Sequence, residues 1–418
     1  MTTIRRRWLP ATVLAALALM SPLAAHAQSA DVQRSFRAFL DRDIRPAARA
    51  QGVPESVLDE ALGGLTPDMK LPDLVRPGNE GAVAEFNAQA EFRSPAAYMS
   101  EKALAGTAAR GRALLAEHRA VLSRIEAAYG VPAPIVVAIW GRESAFGTAD
   151  IRHDAFRVLA TKAHLSRRKA MFREELLAAL RIAAEGHLPA SKMRSSWAGA
   201  LGQPQFMPTK YLQLAVDFDG DGRKDIWDSV PDALASIANY LRQSGWQPGR
   251  DWGFEATIPA GLSCTTEGPD VSRTIRQLAS AGAARVSGRP FPERELAGAG
   301  HILMPAGRFG PAFVATPNFY VIKAYNNSDL YALFVGHLAD RMAGAKPFRA
   351  PWQTPPGGAM TRGDVYRMQQ RLVALGYDVG SVDGLAGFKT RRSIGAFEAK
   401  SGRPETCWPT PALARALR

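Results

Sequence analysis

Residues 131–147 read Val-Pro-Ala-Pro-Ile-Val-Val-Ala-Ile-Trp-Gly-Arg-Glu-Ser-Ala-Phe-Gly, an apolar run closed by a lone carboxylate, Glu143. Ile135, Ile139 and Glu143 recur at i, i+4 and i+8, so on a helix they share one face, and that face is predicted to turn inward. A carboxyl held there loses hydration, which favours its protonated form near neutral pH. Glu143 is therefore the candidate general acid. The competing reading is an ordinary surface glutamate near a helix C-terminus.

Outward from this run the chain is mostly helical. Residues 30–130 read as helices, with 110–129 strongly periodic before Gly130 and Pro132 punctuate. Helices are also predicted at 172–184, at 232–244 before Gly245, and at 318–343. Between 252 and 315 short apolar pieces alternate with Gly and Pro, which predicts a small β-rich insertion. Residues 346–360 carry Pro347, Pro351, Pro355, Pro356, Gly357 and Gly358 and read as an extended linker. Beyond it, 361–418 form a compact tail. The fold class is thus mainly α with a small β part, in a main region of residues 28–345 whose core is 131–251 and 316–345.

The N-terminus has Arg5, Arg6 and Arg7, then an apolar stretch broken by Pro10 and Pro22, then Ala25-His26-Ala27. These are the three regions of a secretory signal peptide, predicted at 1–27 with cleavage after Ala27 and export to a periplasm-like space. No cysteine follows the cleavage point, so no lipid anchor is indicated. Of the formal charge of +13, three units sit on the leader arginines. The remaining basic balance favours a polyanionic partner, and outside the cytoplasm an acidic wall polymer or membrane surface fits better than nucleic acid. Cys264 and Cys407 are too few for a disulfide framework or a zinc site. An oxidising compartment permits a bridge between them, which sequence alone does not establish.

A second stretch, 195–208, reads Ser-Ser-Trp-Ala-Gly-Ala-Leu-Gly-Gln-Pro-Gln-Phe-Met-Pro and is followed by Tyr211. Its glycines let backbone approach a ligand, and Trp197, Gln205, Phe206 and Tyr211 suit the apolar faces and polar edges of sugars. Together with Glu143-Ser144, Phe146-Gly147, the acidic loop after Tyr211, and Asn-Phe-Tyr-Val-Ile-Lys-Ala-Tyr-Asn-Asn-Ser-Asp-Leu-Tyr at 318–331, this order of motifs resembles the membrane-bound lytic transglycosylase B family of murein lytic transglycosylases. The resemblance covers residues 36–343. It implies a lysozyme-like helical core with an N-terminal helical part and a small β part around a groove for peptidoglycan. The reaction it implies cleaves the β-1,4 bond between N-acetylmuramic acid and N-acetylglucosamine without water, leaving 1,6-anhydromuramoyl ends, with Glu143 as sole acid and base. On matching positions Ser196 would orient the acetamido group, and Gln205, Tyr240, Asn326, Tyr331 and Tyr98 would line the groove. Asp150 and Asp154 match no catalytic position and read as structural or solvated. No catalytic cofactor is implied, the partners are glycan strands and their stem peptides, and the chain is expected to be a monomer. The rival readings are a hydrolytic muramidase of the same fold and a non-catalytic wall-binding scaffold.

Residues 217–228, Asp-Phe-Asp-Gly-Asp-Gly-Arg-Lys-Asp-Ile-Trp-Asp, follow the calcium pattern of an EF-hand, with Asp217, Asp219 and Asp221 at positions 1, 3 and 5, Gly222 at the turn and the Arg223 carbonyl next. Lys224 stands where an apolar residue normally packs. A structural Ca²⁺ is expected, closed by Asp228 at the EF-hand spacing or, as the family resemblance implies through a longer loop, by Asp232. The tail, with 365–377 reading Val-Tyr-Arg-Met-Gln-Gln-Arg-Leu-Val-Ala-Leu-Gly-Tyr, resembles the three-helix peptidoglycan-binding domain of wall hydrolases, departing from it at Phe388, Glu398 and Cys407-Trp408.

Overall fold

The computed structural model describes residues 22–75, 94–271 and 273–417. The predicted leader lies outside the described residues up to residue 21, and its last residues open the helix Pro22–Phe39. The Glu143 helix, Ala133–Ser144, forms the axis of the main core. Ile135, Val136, Val137, Ala138, Ile139 and Trp140 are all buried, so the helix is enclosed on every side rather than amphipathic. Burying each large member of that set stabilises the core by roughly 1.5–3 kcal/mol. Helices Glu101–Glu117, Arg119–Tyr129, Val230–Gln243 and Asp329–Met342 pack around it. Gly130, left-handed at φ 69°, ends the preceding helix against Pro248 and sets its entry.

Two expected helices are each divided. The periodic run at 110–129 breaks at His118 into Glu101–Glu117 and Arg119–Tyr129. The segment expected as one helix over 318–343 is Pro317–Tyr325 and Asp329–Met342, because Asn326 leaves helical geometry at φ −147°, ψ 93° and Ser328 caps a new start. That break places tyrosines from both helices at one end of the Glu143 helix.

Eight short strands are present among the described residues. β1 (His153–Asp154) pairs with β2 (Arg194–Ser195), tying the turn after the Glu143 helix to the 195–208 stretch. The β-rich insertion holds β3 (Gly253–Thr257), β4 (Arg273–Thr274), β5 (Ala284–Arg285), β6 (Ala299–Leu303), β7 (Pro305–Arg308) and β8 (Ala312–Ala315). Five of them form an antiparallel sheet in the order β4-β6-β8-β3-β5, with Phe254 opposite Val314 and His301 opposite Ala315. Its second core includes Phe254, Ile275, Phe291, Ile302 and Met304.

The tail is three helices, Arg362–Ala374, Phe388–Lys400 and Pro411–Ala416, with a small core of Met368, Leu372, Val379, Ile394, Leu413 and Leu417. It is docked on the catalytic region. Cys407 joins the sheet's core and bonds to Cys264, so the bridge left open by the sequence is formed and spans the two domains. The Arg308 N–H donates to the Thr406 carbonyl at 2.9 Å, and Gly307 is required there, since a Cβ would lie 2.4 Å from that oxygen. The Pro/Gly linker is extended but packed: Phe348 stacks on His337 at 3.7 Å, and Trp352 covers Gly310.

Candidate active site

Glu143 sits in the last turn of its helix, half-buried where the core opens. The helix ends abruptly, with Ala145, Phe146 and Gly147 all left-handed at φ 49°, 60° and 74°. For Ala and Phe that conformation costs about 1–2 kcal/mol each. Burial of Phe146 edge-on to Trp140, 5.6 Å between centroids, offsets it. The ring lies so close to the helix that a Cβ on Gly141 would meet it at 2.5 Å. Trp140 Nε1 donates to Gln203 Oε1 at 2.7 Å, and Gln203 Nε2 donates to the Trp227 carbonyl at 2.8 Å, bracing the helix against the 195–208 turn and the acidic loop.

Tyr331, fully buried in the first turn of Asp329–Met342, donates its hydroxyl to Glu143 Oε1 at 2.5 Å. Burial first, and then the Glu143 charge, push the Tyr331 phenol well above its ordinary pKa, so it stays a donor. Tyr325 lies nearly parallel to Tyr331, 6.3 Å between centroids, and Tyr240 lies 4.6 Å from Tyr325. Burial and the Glu143 charge raise the Tyr325 phenol also. Its hydroxyl donates to the Pro204 carbonyl at 2.8 Å, and Tyr240 donates to the Ala324 carbonyl at 2.6 Å. Phe206 packs behind Tyr240 and Tyr325, within 6 Å of both rings.

The sequence-derived set stands in differing relations to Glu143. Tyr331 contacts it directly. Tyr240 belongs to the aromatic wall. Gln205, left-handed at φ 55° and donating to the Gly202 carbonyl at 2.9 Å, sits between the two wall contacts Pro204 and Phe206. Ser196 is half-buried in the same turn, its hydroxyl accepting from the Ala200 N–H at 3.3 Å. Asn326 is the residue after Tyr325, at the end of that helix. Tyr98 approaches from the N-terminal part, edge-on to Phe334 at 5.8 Å, with the Arg142 guanidinium 4.8 Å over its ring.

Two readings of aromatics are corrected. Tyr211 and Phe206 do not present faces to a ligand: Tyr211 is fully buried and donates to the Lys224 carbonyl at 2.6 Å, and Phe206 is 2% exposed. Both serve packing, while Trp197 lies against the Lys162 ammonium at 5.0 Å. Conversely Tyr325, within the quoted 318–331 stretch, was not singled out by sequence; its alignment with Tyr331 depends on the break at 326–328. Asp154 caps the helix Ala155–Leu165 through the Arg157 N–H, and Asp150 pairs with Arg152 at the surface.

In the acidic loop, carboxyl oxygens of Asp217, Asp219 and Asp232 lie within 4.8 Å of one another, a hard-oxygen donor set of the kind Ca²⁺ takes. Asp221 is instead turned to Arg223, 2.7 Å away, and Asp228 lies outside the cluster. Asp232 is fully buried and accepts from the N–H groups of Phe218, Asp219 and Asp225. A separate cavity of about 410 Å³ opens between the two domains, lined by Pro95, Phe309, Trp352, Met360, Arg391 and Trp408 among others.

The family described as Transglycosylase SLT domain matches residues 35–340, and a peptidoglycan binding domain family matches residues 361–417. The membrane-bound lytic murein transglycosylase B of Escherichia coli (strain K12) is 34% identical over 235 residues, 55% of this chain; the match spans 62% of that relative, less than two thirds of its length. SltB3 from Pseudomonas aeruginosa, solved with NAG-anhNAM-pentapeptide and with NAG-NAM-pentapeptide, is 38% identical with a TM-score of 0.79, covering 92% of this chain and 99% of SltB3. The lytic transglycosylase Slt35 of Escherichia coli in complex with calcium is 26% identical with a TM-score of 0.55, over 76% of this chain and 92% of Slt35.

Proposed function

Because this chain belongs to the SLT transglycosylase domain family, we propose that it is a peptidoglycan lytic transglycosylase in which Glu143 is both acid and base. The observation that carries the reading is the Tyr331 hydroxyl bonded to Glu143 Oε1 at the open end of a buried helix. That bond orients the carboxyl at the open end of its helix, where it can exchange a proton with a sugar. Protonated Glu143 gives its proton to the glycosidic oxygen as the bond from the muramoyl anomeric carbon breaks. The muramoyl acetamido oxygen bonds to that carbon in its place, so a second carboxylate is not required, unlike the paired arrangement of ordinary glycosidases. Glu143, now a carboxylate, takes the proton from the muramoyl 6-hydroxyl. That oxygen then bonds to the anomeric carbon, the acetamido oxygen leaves, and a 1,6-anhydro end results with no water consumed.

Tyr98, Ser196, Gln205, Tyr240 and Asn326 line the groove in this reading, with Tyr325 added. SltB3 was solved with NAG-anhNAM-pentapeptide and with NAG-NAM-pentapeptide, which supports the same substrate class here. The tail, matched by the peptidoglycan binding family, holds the glycan or its stem peptides. The leader pattern at 1–27 and the proposed substrate support a periplasmic location. Asp217, Asp219 and Asp232 would hold a structural Ca²⁺, with Asp232 as the closing carboxylate, a reading supported by the Slt35 calcium complex. Mass spectrometry of products from purified sacculi tests the proposal. Anhydromuropeptides that disappear with Glu143→Gln are expected; reducing ends would show a hydrolase, and unchanged products from the variant would remove Glu143 from the chemistry.

A further inference from the structure

The connection that carries the site tyrosines is held from the C-terminal domain. Tyr325 ends one helix and Tyr331 lies in the first turn of the next, where backbone N–H groups lack helical partners and the chain is free to fray unless capped. The Ser328 hydroxyl accepts the Tyr331 N–H at 3.3 Å. Lys323 Nζ donates to Asp329 Oδ1 at 2.7 Å, closing the turn between the helices. The other oxygen of Asp329 accepts from Arg391 Nη2 at 2.9 Å. Arg391 belongs to the tail helix Phe388–Lys400, is 2% exposed, and also donates to Glu267 Oε1 at 2.6 Å and to the Ala386 carbonyl at 2.7 Å. Glu267 is fully buried and accepts from the Met304 N–H at 2.7 Å. Two cations and two carboxylates thus form a closed, charge-balanced network across the domain boundary. Phe388 lies under the Lys323 ammonium at 5.5 Å. The tail is anchored independently by the Cys264–Cys407 bridge and by Ser263 Oγ donating to Glu405 Oε2 at 2.7 Å, so Arg391 pulls on the hairpin from fixed ground.

We propose that Arg391 is a positioning residue for the reaction: through Asp329 it fixes the hairpin between the Tyr325 and Tyr331 helices and so sets the Tyr331 hydroxyl against Glu143. The tail then has a second role besides holding glycan, completing the active site of the domain it is attached to. The bond it protects is short, 2.5 Å, so a shift of the first turn by about an ångström takes it beyond hydrogen-bond length. The assay rests on the transglycosylase reading; the geometry does not.

The test uses the full chain and a soluble muropeptide too short to reach the tail, with rates per folded molecule. Arg391→Ala should lower kcat about ten- to a hundredfold, the scale of a small misplacement at a reacting group, with KM nearly unchanged. Arg391→Lys should recover part of that loss. Arg392→Ala, which removes an exposed ion pair to Asp270 across the same boundary, should leave both constants near those of the native chain. Fluorotyrosine placed at Tyr331 should shift its fluorine resonance in Arg391→Ala and not in Arg392→Ala. Should Arg391→Ala fail to fold, Asp329→Asn carries the same expectations. Unchanged kcat, a loss confined to KM, or an unmoved resonance overturns the inference. Absence of glycan cleavage by the native chain would defeat the transglycosylase reading instead, while the resonance still decides this one.

Discussion

Asp232 and Glu143 are carboxylates on neighbouring helices of one core, the first at the start of Val230–Gln243 and the second at the end of Ala133–Ser144. Asp232 is wholly buried and gives both oxygens to backbone N–H groups of its own loop. Burial pushes its pKa up, and those N–H groups draw it back. Glu143 is half-buried and accepts from a phenol on a different helix. Backbone donors are fixed by the chain, so Asp232 is committed to holding a loop. A side-chain donor at a groove leaves a carboxyl able to exchange its proton with something that arrives. On the proposed function, the structural and the chemical carboxylate differ in depth and in that one meets backbone donors and the other a side-chain phenol.

The largest expected effect exploits that difference. Glu143→Gln should cut turnover by about 10³-fold or more while shifting unfolding free energy by less than about 0.5 kcal/mol, measured by muropeptide release and denaturant melts. Asp232→Ala should do the reverse. Stranding buried N–H groups costs about 1–3 kcal/mol or more, and turnover per folded molecule should persist. Tyr331→Phe comes next, with kcat lowered about tenfold and stability little changed, because the ring and its stack on Tyr325 remain. An effect on stability alone is expected from calcium. Added at a hundred times its dissociation constant it would stabilise the chain by about 2.7 kcal/mol, visible as a raised midpoint in thermal melts and lost in Asp217→Asn.

A third carboxylate sets a pH dependence. Asp340 accepts from Trp252 Nε1 at 3.0 Å, and burial pushes its pKa up to about 7. A group raised in the folded state contributes stability below its unfolded pKa and loses it as pH rises through the folded value. Stability should therefore decline between about pH 4 and pH 7 from this group, and Asp340→Asn should flatten that decline.

Much of the Glu143 region was legible because its signals are local: an apolar run, a terminating carboxylate, and glycines in the following turn. The acidic loop was legible for the same reason, its aspartates falling within sixteen residues of chain. What sequence did not reveal depends on contacts between distant segments. Tyr325 gains its place by meeting Tyr240 and Tyr331 across a helix break no periodicity marks. Tyr211 looked like a sugar-facing ring because loop aromatics and core aromatics have the same composition. The linker's prolines predicted an extended path but not that Phe348 and Trp352 would pin it down. Arg391 was one arginine among many until folding set it against Glu267 and Asp329.

The central claim is that Glu143 serves as acid and base in a cleavage that uses no water. Turnover of purified sacculi in water enriched in heavy oxygen tests it directly. The account predicts anhydro ends carrying no heavy oxygen, formed by the native chain and absent with Glu143→Gln. Reducing muramoyl ends that carry the label would contradict it.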